Sequence, residues 1–168
     1  PDIHLSLAGA GEMTETLLRE ALDDRLLARA SGLDEAHVQR ALRHAVDDHI
    51  LVRSDRPPRA GYRFRHEMLR ALVASRLLPE EARHIHTAVA LALSEEPAER
   101  RSPTEVAAHW DAAGDSSRAL AAHVQAARAT VATFAFAEAH GHCERALQLW
   151  GHVDRAEEVA GLREREVV

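Results

Sequence analysis

Between Tyr62 and Leu78 the hydrophobic period of the chain changes from two residues to about three and a half, with no loop in between. Tyr62 and Phe64 alternate with Arg63 and Arg65, the pattern of a half-buried strand. From His66 onward Leu69, Leu72, Val73 and Leu77, with Met68 beside them, take the three-and-four spacing of a helix face. A strand is thus expected to run directly into a helix, with Arg65, His66 and Glu67 at the junction. A helix N-terminus carries free N–H groups and a partial positive charge. An imidazole and a guanidinium placed there can both donate to a phosphate, which makes Arg65 and His66 the candidate site. The competing reading is local: His66 caps the backbone of its own helix.

The segments before the junction give it a context. Residues 1–13 are weakly patterned and read as an irregular lead-in. Thr14 to Ala30 carries leucines at fourfold spacing, as one long helix or two short ones divided near Asp23-Asp24, and Ser31-Gly32 stops it. Asp34 then reads as an N-cap, with Leu33 and Val38 placed for a hydrophobic staple. Val38, Ala41, Leu42, Ala45 and Val46 form an apolar stripe that ends at Asp47-Asp48. A strand over Ile50 to Arg53, a turn at Pro57-Pro58 and a return strand over Tyr62 to Arg65 complete a hairpin. Helix, helix, hairpin and helix is the order of a winged-helix unit, with the hairpin as its wing. Pro79 opens a further helix with Glu80 and Glu81 in its first turn.

The second half reads differently. The expected organisation is a winged-helix-like domain over residues 1–94, a charged linker over 95–102 and helical hairpins of tetratricopeptide-like type over 103–168. Ser102-Pro103-Thr104-Glu105 is a capping box, Gly114 and Gly151 are stops, and Asp154 to Arg165 is expected to begin another unit. Only 4% of residues are aromatic, so alanine and leucine supply the packing, and small interfacial residues suit closely stacked helices. No strict repeat period can be fitted. The fold class is therefore mainly α with one small hairpin.

Composition narrows the function. The net charge is −6, against a surface that grips nucleic acid throughout. All 21 basic residues are arginine, so arginine carries less meaning here than usual. The candidate recognition helix holds Asp34, Glu35, Asp47 and Asp48 against Arg40 and Arg43, the wrong balance for insertion between phosphates. On the wing, Arg53, Arg56, Arg59, Arg63 and Arg65 outnumber Asp55, read as a solvated or domain-contacting surface with nucleic acid the alternative. His84 and His86 point to different faces of one helix, and His140 with Cys143 makes only two ligands, with His142 off to the side. No metal site and no hydrolase motif is therefore expected. The single cysteine fits a reducing cytoplasm, and no apolar run is long enough for a membrane span. The chain opens at Pro1 and is expected to be a piece of something longer.

The segment YRFRHEMLR, preceded by HILVRSDRPPRAG and followed by LLPEEARHIHTAVALAL, resembles a region of STAND ATPases. It is similar to the LuxR-type regulators of actinobacteria, which join an ATPase, a winged helix, tetratricopeptide-like repeats and a terminal DNA-binding domain. VAAHWDAAGDSSRAL and FAEAHGHCERALQLW resemble the first of those repeats, so the resemblance covers about residues 22–150. In the wider family the last wing strand leads into a Met-His-Asp motif whose histidine touches the β-phosphate of ADP. The resemblance places His66 at that contact, while Arg65 and Glu67 depart from the motif. With no lysine the chain holds no P-loop, so ADP or ATP would belong to the parent protein and no cofactor to this segment. The resemblance implies a non-enzymatic regulatory segment with two partners: the ATPase domain of the same parent, and a protein or small-molecule inducer on the repeats. A free-standing winged-helix DNA-binding regulator and a helical-repeat scaffold are the alternatives.

Overall fold

The computed structural model describes residues 24–55 and 61–161. The irregular lead-in expected over residues 1–13, and the turn carrying Arg56, Pro57, Pro58 and Arg59, lie outside the described residues. The chain divides into two compact units between Ala92 and Leu93, ahead of the charged stretch Glu95 to Arg101.

In the first unit, α1 (Asp24–Ser31) and α2 (Glu35–Asp47) pack against each other. Gly32 leaves α1 at a φ of 68°, a conformation that glycine takes without strain. Asp34 caps α2 as its sequence predicts: the His37 N–H donates to Asp34 Oδ1 at 2.9 Å. Of the expected stripe, Val38 and Leu42 are buried and Ala45 and Val46 half-buried, but Ala41 is exposed. Leu33 is also exposed, so the staple to Val38 buries little. The buried stripe is narrower than its spacing suggests. At the end of α2, His49 sits at a φ of 61° and its N–H donates to the Val46 carbonyl. The Ile50 N–H donates to Ala45, which completes a Schellman closure on a residue other than glycine.

The hairpin follows at once. β1 (Leu51–Ser54) pairs antiparallel with β2 (Gly61–Phe64), in register from Leu51 opposite Phe64 to Ser54 opposite Gly61. The Arg65 N–H adds one bond to the Ile50 carbonyl at 2.9 Å. Tyr62 and Phe64 are half-buried and Arg63 and Arg65 exposed, the alternation their pattern predicts. After β2 come α3 (Glu67–Arg76) and α4 (Pro79–Ser94). Arg29 of α1 donates to the Ala92 carbonyl of α4 at 2.6 Å, and so ties these two helices of the unit together.

On α3 the helix forms as its spacing predicts, but its apolar face is open: Met68 is 83% exposed, Leu72 53% exposed, and Val73 and Leu77 also face solvent. The residue of α3 that is buried is Arg70. Helical spacing reports that a helix has an apolar side; it does not say that the same chain covers it.

The second unit holds α5 (Pro103–Ala113), α6 (Ser116–Ala132), α7 (Phe136–Trp150) and a short α8 (Ala156–Val159). Helix α6 packs against α5 and α7, and also against α8. Each boundary has a local cause. The Ser102 Oγ accepts the Glu105 N–H, Asp115 accepts the Arg118 N–H at 2.9 Å, and Gly114 closes α5 at a φ of 76°. Trp110 is buried on α5 with the Arg118 guanidinium 4.8 Å from its ring centroid. Phe134 closes α6 in a second Schellman arrangement at a φ of 61°, and it meets Phe136 edge-on at 6.1 Å. The helix expected from Asp154 to Arg165 begins at Ala156 and stops at Val159, because Arg155 precedes it and Gly161 follows it in the left-handed region. Residues 162–168 lie outside the described residues.

The contrast between α3 and α6 gives a stability test. Leu120→Ala removes a fully buried side chain and should cost about 2–5 kcal/mol. Leu72→Ala, on the exposed side of α3, should change stability by less than about 0.5 kcal/mol. Denaturant unfolding of the two variants checks both, and a large loss for Leu72→Ala would mean that the face is covered.

Candidate functional site

The strand-to-helix junction is built as the sequence predicts. His66 occupies the N-cap position of α3 in extended conformation, and its carbonyl accepts the Leu69 N–H at 3.1 Å and the Arg70 N–H at 3.4 Å. Its side chain makes no capping bond, so the reading of His66 as a side-chain cap does not hold. The ring is exposed beside exposed Arg65. Glu67 is engaged on its own helix, where Arg70 Nε donates to Oε1 at 2.6 Å and Arg70 Nη2 donates to the same oxygen.

Among the described residues the wing arginines Arg53, Arg63 and Arg65 do not form one patch. Cross-strand partners share a face, so Arg53 lies on the side of Tyr62, with its guanidinium 5.9 Å from that ring centroid. Arg63 stands opposite Val52 on the other side, and alternation puts Arg65 with Arg63. Arg65 and Arg63 therefore accompany His66 along one strand, while Arg53 is turned away from them.

The second unit holds a polar cluster that sequence reading missed. Asp111 of α5 is 3% exposed at its side chain, and His123 of α6 is 6% exposed. His123 Nε2 lies 2.8 Å from Asp111 Oδ2. From α7, Arg145 grips the same carboxylate: Nη2 donates to Oδ1 at 2.9 Å and Nε donates to Oδ2 at 3.0 Å. His123 Nδ1 lies 2.9 Å from His142 Nδ1, and His142 Nε2 lies 3.2 Å from Thr104 Oγ1. Five side chains on three helices are thus joined from Arg145 to Thr104. Burial raises the pKa of the Asp111 carboxyl, but hydrogen bonds from His123 and Arg145 outweigh it and hold the group below its ordinary value. Asp111 is therefore a carboxylate at neutral pH. Comparison with family models, with curated proteins and with solved structures finds no match to the chain.

Chemically the cluster can hold and pass protons. Among the described residues no group of three His, Cys, Asp or Glu side chains is arranged for a metal ion. His140 lies 3.6 Å from Glu144 on its own helix, and Cys143 is exposed. His86 is held below its ordinary pKa by burial. The one signal available in sequence was the pair His142 and Arg145, three apart and so on one face of α7. Nothing near Asp111 marks it as their partner.

Removing the Asp111 charge should be costly. Asp111→Asn leaves Arg145 without its counter-ion, and should destabilise the chain by about 2–3 kcal/mol; Arg145, 36% exposed at its side chain, reaches water and softens the loss. Because the folded carboxyl is held below 3.8, its contribution is fully present above that pH and is lost as pH falls through the lower folded value. Urea unfolding of the variant at neutral pH, with an acid titration of the wild type, measures both. A variant as stable as the wild type would show the cluster to be energetically idle.

Proposed function

We propose that this chain is the non-catalytic regulatory and protein-interaction segment of a STAND-type ATPase transcriptional regulator, coupling nucleotide state to the sensing of a partner or inducer. The observation that carries the reading is the exposed His66 ring at the start of α3, beside an apolar face that includes Met68 and Leu72. Large apolar side chains left to solvent mark a surface for another protein element. The ATPase domain of the same parent is the element proposed for it. The β-phosphate of ADP held by that domain is the acceptor proposed for His66, with Arg65 beside it. A helix N-terminus supplies favourable potential there, and an imidazole N–H adds a directed donor. The helical unit is proposed to receive a protein or small-molecule inducer, and the parent to work in the cytoplasm. Among the described residues no helix is long and apolar enough to cross a membrane.

A second reading, a free-standing DNA-binding regulator, draws on the exposed Arg53, Arg63 and Arg65 of the hairpin. It is weakened by the division of those arginines between two faces and by the acidic ends of α2. Tight, sequence-selective gel shift by this chain at physiological salt would favour it over the first.

The direct test is His66→Ala in the full-length parent. Loss of a hydrogen bond to a charged acceptor should speed ADP release roughly ten- to hundredfold and raise activity without inducer. In the 168-residue chain the same substitution should leave thermal stability nearly unchanged, because the ring caps nothing. Unchanged release from the parent would overturn the assignment.

A further inference from the structure

His123 of α6 and His142 of α7 bring their Nδ1 atoms to 2.9 Å, with ring centroids 5.1 Å apart and planes tilted by 49°. At that distance one nitrogen carries a hydrogen and the other a lone pair. The far ends of the pair decide which. Ionised Asp111 only accepts, so His123 Nε2 carries a proton. Neutral His123 then turns a lone pair toward His142, whose Nδ1–H donates to it. His142 Nε2 in turn accepts the Thr104 hydroxyl at 3.2 Å.

One added proton leaves every contact satisfied. On His142 Nε2 it is donated to Thr104 Oγ1. On His123 Nδ1 it is donated to His142 Nδ1, whose own hydrogen then resides on Nε2. A second added proton has no such place, because both Nδ1 atoms would carry hydrogens directed at each other across 2.9 Å.

We propose that the His123–His142 contact is a one-proton lock on the helical unit. The lock holds α7 against α5 and α6 while the pair carries at most one extra proton, and opens when a second is forced on. The charged groups that act on His142 come from each neighbouring helix: His123 from α6, Asp111 from α5 and Glu138 from α7 itself, with Arg145 neutralising Asp111. Burial first, and then the charge of His123, push the pKa of His142 down; Glu138 and Asp111 oppose them, and the balance stays below the ordinary 6.5. In the unfolded chain both rings protonate as pH falls below that value, whereas the folded pair holds one proton fewer. The stability of the unit is therefore full above it and lost on acidification, with opening favoured about tenfold more for each pH unit.

The experiment is hydrogen exchange read by mass spectrometry on the whole 168-residue chain, from about pH 7.5 to about pH 5.5, expressed as protection factors. Protection of α7 amides should fall about tenfold per unit below pH ~6.5. In His142→Asn the side-chain amide can present either N–H or C=O to His123, so the pair accommodates its protons and the fall should shrink to about twofold or less. An equal fall in wild type and variant overturns the lock, as does an α7 whose protection does not change. A wild-type imidazole titration by nuclear magnetic resonance keeps the test independent of the variant. Uptake of one proton by the pair by about pH 5.5 supports the lock, and independent uptake of two overturns it.

Discussion

A carboxylate 3% exposed to solvent cannot stand alone, and the second unit is arranged around the need to neutralise Asp111. The guanidinium comes from α7 and the imidazole from α6, so the three helices are joined through one pair of oxygens. Alanine packing between α6 and its neighbours is close but undirected, since small apolar faces can slide along one another. The bidentate Arg145 grip fixes a register, because a shift of even one residue would carry the fork away from its acceptor. Burying such a group is costly, and hydrophobic residues of similar size can be at least as stabilising. What the ionic cluster adds is geometry.

The first unit presents the opposite case. There a long charged side chain, Arg70, is buried against its own helix partner Glu67, while Met68 and Leu72 face water. The hairpin and α3 are well formed without the apolar face being used. The buried apolar residues described in this unit, among them Leu26, Val38, Leu42, Val89 and Ala90, lie on α1, α2 and α4, apart from what α3 offers outward.

Much of the architecture was legible in the sequence, and the reason is local chemistry. Asp34, Ser102 and Gly114 fix helix ends through bonds spanning three or four residues, and these stand where the sequence puts them. The switch of period at His66 located both β2 and α3 for the same reason. Burial was less legible: Ala41 and Leu72 carry the right spacing but face solvent, because covering depends on elements distant along the chain. The cluster was the least legible. His142 was weighed with His140 and Cys143 on its own helix, whereas its contacts are to His123 and Thr104 on two others. His49 and Phe134 escaped notice as helix closures because the left-handed position is expected of glycine.

Helix α6 has a consequence for how such a chain can be cut and rejoined. Its buried alanines, Ala119, Ala122, Ala126 and Ala127, serve α5 and α7 together. A breakpoint at Gly114 strips α6 of one neighbour, and a breakpoint between Thr133 and Ala135 strips it of the other. Either also parts Asp111 from Arg145. The smallest piece that can be duplicated or transplanted with its interior intact is therefore the span from Ser102, which caps α5, to Ala160, because α8 packs against α6 as well. Lengthening an array built from it means adding helices after that span, and not exchanging hairpins within it.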